Sequence, residues 1–221
     1  MFKHSFIDFP KLETKIIDGK RYYITPTGAF YPSITTILSA TESEGISQWK
    51  KNVGEEEASR ISKIMARRGQ NLHDICEKYL LNHKNPTFEY MPDVIALFSL
   101  IKKSIDRIQK IYAIEQEMYS DLYQIAGRCD VVADYRNNLS IIDFKTSNSD
   151  IEYTPEKIQK YFIQCKAYAE MFGERTGIKP KFGVLIIGSL DYGLKTYIDD
   201  LSKYSNDLET TIAAYEGKKY A

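Results

Sequence analysis

The stretch Ser140-Ile141-Ile142-Asp143-Phe144-Lys145-Thr146-Ser147 decides the fold of this 221-residue chain. Its two adjacent isoleucines predict a buried β-strand, and strand residues two positions apart project from the same face. Asp143 and Lys145 therefore project together, whereas Phe144 projects the other way. Asp130 lies on a second apolar stretch upstream. Two neighbouring strands that each present an acid, with a lysine beside one of them, predict a site for a metal ion and a water molecule.

The chemistry that suits these residues is phosphodiester hydrolysis. A divalent ion polarises a phosphoryl oxygen and lowers the pKa of an attacking water. Hard ions such as Mg²⁺ prefer oxygen ligands, which Asp130, Asp143 and the Phe144 carbonyl supply. Lys145 would orient the water or stabilise charge that builds on the phosphate. A simpler interpretation is a structural ion pair at the end of a strand, because Asp-x-Lys is a common tripeptide.

Composition narrows the class of protein. The formal net charge is zero, so a nucleic-acid partner would need a local basic groove. The three cysteines are scattered, which indicates reduced thiols and neither a disulfide framework nor an iron–sulfur cluster. The chain has no Gly-x-x-x-x-Gly-Lys-Ser/Thr motif, so no ATP site is expected. It has no signal peptide, transit peptide or long apolar run, so we expect a cytoplasmic protein of a bacterial or phage-infected cell, without membrane contact.

The pattern of apolar residues changes from helical to strand-like near the middle of the chain. A first helix is predicted to begin at Ile34, capped by Ser33, and a second, short one to lie around residues 46–51. The stretch 55–81 is predicted to form one kinked helix or two, because Gly69 interrupts it. Further helices are predicted over 93–111, from Pro155 to about Phe172, and over 202–215. The predicted strands cover 21–25, 111–119, 124–135, 139–145 and 181–187.

His73 is a further candidate for the site. It lies four residues before Glu77, so the two side chains share one face of a helix. His73 falls at the border of the apolar stripe, where a half-buried polar group can point into a cleft. Gly69, one turn earlier, would allow a backbone or a phosphate to come close. The alternative is a surface histidine paired with Glu77. The motif is not His-Glu-x-x-His, so a zinc protease is not supported.

Another candidate segment is the helix that follows the strand pair. Gln164 and Tyr168 share a predicted polar face with Lys157, Lys160 and Tyr161. Amide, phenol and ammonium donors suit contacts to a phosphate backbone. A solvated helix face is the alternative.

Taken in order along the chain, these motifs resemble the PD-(D/E)XK nuclease superfamily and, within it, the RecB-like branch. The motifs that carry the resemblance are Gly69-x-x-x-His73, Glu115 ahead of the second strand, Gly127-x-x-Asp130, Asp143-x-Lys145 and Gln164-x-x-x-Tyr168. A narrower likeness, over roughly residues 30–190, is to the family of mitochondrial genome maintenance exonucleases with their phage and bacterial relatives. It is carried by Tyr31–Leu38, Trp49-Lys50, Arg68-Gly69 with His73 and Glu77, and Ile142–Ser147.

The resemblance implies an α/β (α+β) fold of the restriction-endonuclease type. We expect a central mixed sheet of about four or five strands flanked by helices, in a single nuclease domain over 1–221. A mainly helical part, 1–110, would extend over the active site of an αβ catalytic core, 111–221. The implied activity is that of a Mg²⁺- or Mn²⁺-dependent exonuclease on single-stranded DNA with free ends, in replication, recombination or repair, with proteins of those processes as partners. The alternatives are a structure-specific or double-strand DNA endonuclease on the same core and a non-cleaving DNA-end-binding module.

The resemblance also assigns roles to residues. Asp130, Asp143 and the Phe144 carbonyl would bind the metal, with His73 as a further ligand or close neighbour, and Lys145 would be the catalytic lysine. Supporting or DNA-binding roles are implied for Gln164, Tyr168, Glu115, Glu77, Arg68, Thr146, Trp49 and Lys50.

Two positions leave a choice open or depart from the superfamily pattern. Glu117 could take the place of Glu115 after a two-residue shift. Cys129 stands where the superfamily has the proline of its name, and RecB-like members often lack that proline.

Overall fold

The computed structural model describes residues 1–40, 51–147 and 153–219, without the side chains of 218–219. The expectations for Trp49, Lys50 and most of the short helix around 46–51 lie outside the described residues. The strands are β1 Lys3–His4, β2 Glu13–Ile17, β3 Lys20–Ile24, β4 Phe30–Pro32, β5 Ile108–Ser120, β6 Ile125–Tyr135, β7 Asn138–Thr146, β8 Phe182–Ser189 and β9 Gly193–Asp200. The helices are α1 Ile34–Ser39, α2 Glu55–Leu80, α3 Pro92–Ile105, α4 Pro155–Thr176 and α5 Ser205–Lys219, with a 3-10 turn over Leu201–Tyr204.

A six-stranded mixed sheet forms the centre of the protein, in the order β1-β5-β6-β7-β8-β9. The β1–β5 and β7–β8 pairs are parallel and the other pairs antiparallel. A parallel neighbour needs a crossover, and α4 provides it between β7 and β8. The predicted mixed sheet flanked by helices is confirmed. It has six strands rather than the predicted four or five. The sequence pattern did not reveal β1, which is only two residues long, or β9, a half-buried edge strand without a continuous apolar run.

Helices cover both faces of this sheet. Buried residues of α1, α4 and α5 pack on one face around Ile141, and those of α2 and α3 pack on the other around Ile142 and Phe144. Phe144 is thus directed away from the Lys145 ammonium, which lies over the ring of Tyr161 on α4. The opposed directions predicted for Phe144 and Lys145 are confirmed.

A small antiparallel sheet, β2-β3-β4, lies beside the main sheet. Ser33 follows β4, caps α1 by accepting a hydrogen bond from the Thr36 amide at 3.0 Å, and forms a parallel bridge with Ala126 of β6. The predicted Ser33 cap is confirmed. The bridge fixes the small sheet to the strand that carries Asp130.

Some predicted helix ends were wrong, whereas the stretch predicted over 55–81 as one helix or two is one helix. The helix predicted over 93–111 ends at Ile105, because Ile108 pairs with Tyr135 as the start of β5. The β5 register is irregular between Ile108 and Ile111, so a three-residue spacing places both side chains in the same core although β5 is a strand. Gly69 does not interrupt α2. Helix α4 continues past Gly173, against which Lys179 packs, and ends where Gly177 adopts a φ of 72°. No described helix combines the length and the apolarity that crossing a membrane requires.

Candidate active site

A histidine and two carboxylates from three different elements meet at one end of the main sheet. His73 comes from α2, Glu115 from β5 and Asp130 from β6, and one ligand atom of each lies within 4.8 Å of the others. The backbone carbonyl of Phe144 on β7 adjoins the group, because the second ring nitrogen of His73 donates to it at 3.1 Å. We call His73, Glu115 and Asp130 the ligand cluster.

Both ring nitrogens of His73 face hydrogen-bond acceptors. Nδ1–H donates to Glu115 Oε1 at 3.1 Å and lies 3.6 Å from Asp130 Oδ1, while Nε2–H donates to the Phe144 carbonyl. Two donated hydrogen bonds require the doubly protonated imidazolium. Burial by itself lowers the pKa of His73, but the charges of Asp130 and Glu115 outweigh it and raise this pKa to about 9. The alternative of a surface histidine paired with Glu77 does not match these contacts.

Glu115 has an unusual backbone for a strand residue. Its φ is 45°, in a region that few non-glycine residues occupy. It stands between the paired positions Ile114–Val131 and Gln116–Cys129, so it faces Asp130 across the β5–β6 ladder. Glu117, the alternative, instead has Oε2 accepting from the Leu12 amide at 3.3 Å. The structure therefore brings Glu115, and not Glu117, into the ligand cluster.

Asp130 occupies the end of the β6–β7 ladder. The last paired positions are Val131 and Ile142, and beyond them Asp130 Oδ2 accepts a hydrogen bond from the Phe144 amide at 2.8 Å. This bond holds one carboxylate oxygen against β7 and leaves Oδ1 on the side of His73. The predicted adjacency of the Asp130 and Asp143 strands is confirmed.

Asp143 is fully buried beside the ligand cluster but does not belong to it. Its Oδ2 forms an ion pair with the Lys145 ammonium, and its Oδ1 is buried without a hydrogen-bond partner among the described residues. Burial raises the pKa of Asp143 to about 6, against the opposing charge of Lys145. Burial would lower the pKa of Lys145, but Asp143 and Asp130 outweigh it and raise that pKa. The lysine is therefore held in its charged form.

Gln164 and Tyr168 lie beneath the site rather than on a solvated helix face. Their exposed fractions are 7% and 1%, and Gln164 Nε2 donates to the Tyr168 hydroxyl at 3.2 Å. Gly127 makes room for the tyrosine, since a Cβ at this position would lie 2.8 Å from Tyr168 Cε1. The alternative of a solvated helix face is wrong at these two positions, because the tyrosine ring packs against β6.

A cavity of about 210 Å³ joins most of these residues. Of the predicted residues it contains His73, Glu115, Asp130, Lys145, Gln164 and Tyr168, with Gly69 and Gly127. Its lining also includes Arg21, Tyr23, Thr35, Gln70 and Arg128, which the sequence analysis did not single out. The position of Arg128 could have been predicted from the sequence, because it stands two positions before Asp130 on the same strand.

Besides Asp143 and Phe144, three predicted residues among those described lie outside this lining. Arg68 points to Asp93, with Nε 3.4 Å from Oδ2. Thr146 lies near Gly69, its Oγ1 3.8 Å from where a Cβ would stand on that glycine. Glu77 is half-buried one turn beyond the ligand histidine, and burial is the main cause that raises its pKa.

The donor set fits a divalent ion of the Mg²⁺ or Mn²⁺ type. Two carboxylates, a carbonyl and an imidazole are ligands that these ions accept, and Mn²⁺ tolerates the nitrogen better than Mg²⁺. The unpartnered Oδ1 of Asp143 offers one more oxygen at the edge of the group. In the protein without metal, a proton on His73 supplies part of the positive charge that the acids require.

The similarity to a known exonuclease is consistent with the resemblance to PD-(D/E)XK nucleases that the motifs indicated. No protein-family model matches the chain. Over 124 residues it is 27% identical to mitochondrial genome maintenance exonuclease 1 of Mus musculus, a match that covers 52% of this chain. The matched part spans only 37% of the mouse protein.

Two solved structures match the chain at low similarity. SSO0001 matches with a TM-score of 0.35 and 17% identity, over 82% of this chain and 84% of that one. A protein from Eubacterium rectale assigned as an exonuclease matches with a TM-score of 0.42 and 14% identity, over 69% of this chain and 63% of that one. Both TM-scores lie below 0.5, so no conclusion about this chain follows from them.

Proposed function

We propose that this protein is a metal-dependent DNA exonuclease that hydrolyses phosphodiester bonds of single-stranded DNA from a free end, in replication, recombination or repair. The observation that supports it is the convergence of His73, Glu115 and Asp130 beside the buried Asp143–Lys145 pair. Oxygen-rich ligands next to a lysine suit hydrolysis at phosphorus. The name of the mouse relative supports the exonuclease class.

The metal would be Mg²⁺ or Mn²⁺, held by His73, Glu115, Asp130 and the Phe144 carbonyl, with Asp143 as a further oxygen donor. When bound, such an ion polarises the phosphoryl oxygen and acidifies water. The chain fixes its ligands before any ion arrives. The Phe144 amide holds Asp130, and the ordered end of β7 presents the Phe144 carbonyl.

Lys145 is the residue that we assign to charge stabilisation on the phosphate. Its side chain is 20% exposed, so the ammonium reaches the cavity while Asp143 holds it from below. The Tyr161 ring lies 5.0 Å from Nζ and limits the directions that the ammonium can take. A cation fixed at this point stabilises the negative charge of the transition state without having to reorganise.

Gln164 and Tyr168 would act as support rather than as direct DNA contacts. Both are buried residues of α4, and the hydrogen bond between them lies within that helix at the floor of the cavity. The raised pKa of Tyr168, caused by burial, keeps its hydroxyl protonated and able to donate. Their part in the proposed reaction would be to hold α4 against Gly127 of β6, the strand that carries Asp130.

The experiment is cleavage of end-labelled linear single strands and of circular single strands with Mn²⁺ or Mg²⁺. Wild-type protein should shorten the linear strands progressively and leave the circles intact. Lys145→Ala should lose at least about a hundredfold in rate, as removal of a single charge-stabilising group does elsewhere. Lys103→Ala, which removes an exposed lysine of α3, is the matched control and should retain the wild-type rate.

Three outcomes would contradict the proposal. Linearised circles would indicate an endonuclease on the same core. Tight binding of DNA ends without cleavage by the wild type would indicate an end-binding module. Equal slow cleavage by wild type and Lys145→Ala would remove Lys145 from the catalytic machinery.

A further inference from the structure

Two arginines that belong to no ligand set line the candidate active-site cavity. Arg21 comes from β3 of the small sheet and Arg128 from β6 of the main sheet. Both side chains are exposed, whereas Asp130 and Asp143 beneath them are buried. We call Arg21 and Arg128 the arginine pair.

The backbone explains why residues so far apart in sequence meet here. The Ser33 amide donates to the Arg21 carbonyl at 3.0 Å, and Ser33 also bridges to Ala126 of β6. Ala126 precedes Arg128 by two residues, so both side chains project from the same face of β6. The small sheet is thereby fixed with Arg21 on the Arg128 side of the cavity.

Tyr23 anchors this face of the small sheet. It is 2% exposed and packs with Leu12, Tyr119 and Ala126. Arg21 lies two residues earlier on the same strand and therefore on the same face. The buried ring thus holds the strand from which Arg21 extends into the cavity.

Arg128 reaches the ligand cluster by a diagonal contact. It pairs in register with Glu117 on β5, but its Nε lies 3.0 Å from Oε2 of Glu115, two residues away. Its side chain is 42% exposed, and no second carboxylate is paired with it among the described residues. The guanidinium can therefore keep its contact with Glu115 and still present N–H groups to a ligand.

The carboxylates of the site carry negative charge, so a phosphate can bind beside them only where cations are present. Glu115, Asp130 and Asp143 would repel the phosphates of a nucleic acid, and Lys145 is already paired with Asp143. Guanidinium groups match phosphate oxygens with two parallel hydrogen bonds. Arg68, for which a supporting or DNA-binding role is predicted, lies outside the cavity lining with its Nε 3.4 Å from Asp93 Oδ2.

We propose that Arg21 and Arg128 form a phosphate-binding subsite, in which both guanidinium groups bind one phosphate of the DNA strand next to the scissile phosphate. The inference rests on the proposed function. According to it, the small sheet positions Arg21 at the phosphate-binding subsite. Because the two arginines share one phosphate, their contributions to binding are coupled.

The test is the affinity for a fluorescein-labelled 20-nucleotide single strand, measured by anisotropy from 50 to 200 mM KCl with Mn²⁺. All variants are made in the Lys145→Ala background, which prevents cleavage. Arg21→Gln and Arg128→Gln should each weaken binding about tenfold at low salt. The double variant should lose clearly less than about a hundredfold in affinity. The slope of its log affinity against log salt concentration should become smaller in magnitude by about 0.7, the value for one phosphate of a single strand.

The control is Arg136→Gln in the same background. Arg136 lies at the β6–β7 turn, six residues and roughly 20 Å along the strand from Asp130, so its loss should leave affinity and slope unchanged. Arg21→Gln should also keep the wild-type melting temperature and calorimetric Mn²⁺ affinity, because Arg21 contacts no ligand. Arg21→Lys should keep the salt slope and recover only part of the affinity.

Distinct results would overturn the inference. If either arginine variant behaves like Arg136→Gln, that arginine does not bind a phosphate. If the double variant loses the product of the two single losses, the arginines bind separate phosphates. Failure of the wild type to bind or cut any DNA would instead overturn the proposed function, so the two failures are distinguishable.

Discussion

Metal binding should depend steeply on pH because a proton occupies the ligand cluster. His73 has a pKa of about 9 in the metal-free protein and donates hydrogen bonds from both ring nitrogens. A metal ion needs a lone pair on one of these nitrogens, so His73 must release a proton when the ion binds. At pH 7 about 99 in 100 of these imidazoles are protonated. The proton therefore competes with the metal throughout the neutral range.

The size of the effect follows from this pKa. The deprotonated fraction of His73 increases about 25-fold between pH 7 and pH 8.5, so the apparent affinity for Mn²⁺ should increase by the same factor, or about 2 kcal/mol. The affinity should level off above pH 9, where the proton is already lost. Asp143, with a pKa of about 6, is largely ionised over this range and adds little to the slope.

The assay is isothermal titration calorimetry with Mn²⁺ in deoxygenated buffers of different ionisation enthalpy. About one proton should be released for each ion bound at pH 7. His73→Gln should bind more weakly and lose both the proton release and the pH dependence. An affinity that stays flat from pH 7 to 8.5, with no proton released by the wild type, would refute the assignment of His73 as a ligand.

Two other substitutions test the packing and the ligands. Gly127→Ala places a Cβ 2.8 Å from Tyr168 Cε1 and should destabilise the fold by about 1–3 kcal/mol in urea unfolding, whereas Gly217→Ala, with open space around it, should be neutral or slightly stabilising. Equal unfolding midpoints for both variants would show that the Tyr168 ring can shift at little cost in stability. Glu115→Gln should weaken Mn²⁺ binding at least about tenfold. Glu117→Gln, which keeps an acceptor for the Leu12 amide, should leave Mn²⁺ binding unchanged. If Glu117→Gln weakens binding and Glu115→Gln does not, Glu117 is the metal ligand.

The central hairpins were the part of the fold that the sequence predicted best. The strands predicted over 124–135 and 139–145 lie within one residue of the observed bounds of β6 and β7. Positive φ angles at Arg136 and Asn137 form the turn between them. Residues two apart on a strand share a face, so the common direction of Asp143 and Lys145 followed from local geometry. Their ion pair confirms that direction.

The rest of the site depends on contacts between distant segments, which local patterns do not encode. The placing of Glu115 in the ligand cluster depends on the β5–β6 register and on a φ of 45°, and neither is visible in the spacing of Glu115 and Glu117. The burial of Tyr168 depends on the missing side chain of Gly127 across the interface with α4. Arg21 reaches the cavity only because the small sheet is bridged to β6.

The most direct test of the central claim is an anomalous difference map from crystals soaked in Mn²⁺. A peak should lie about 2.0–2.3 Å from one nitrogen of His73 and one oxygen each of Glu115 and Asp130, with the Phe144 carbonyl in reach. The hydrogen bond between His73 and Glu115 should then be broken, since the ion takes its place. A map without a peak between these residues, or with a peak elsewhere and the His73–Glu115 contact intact, would contradict the account.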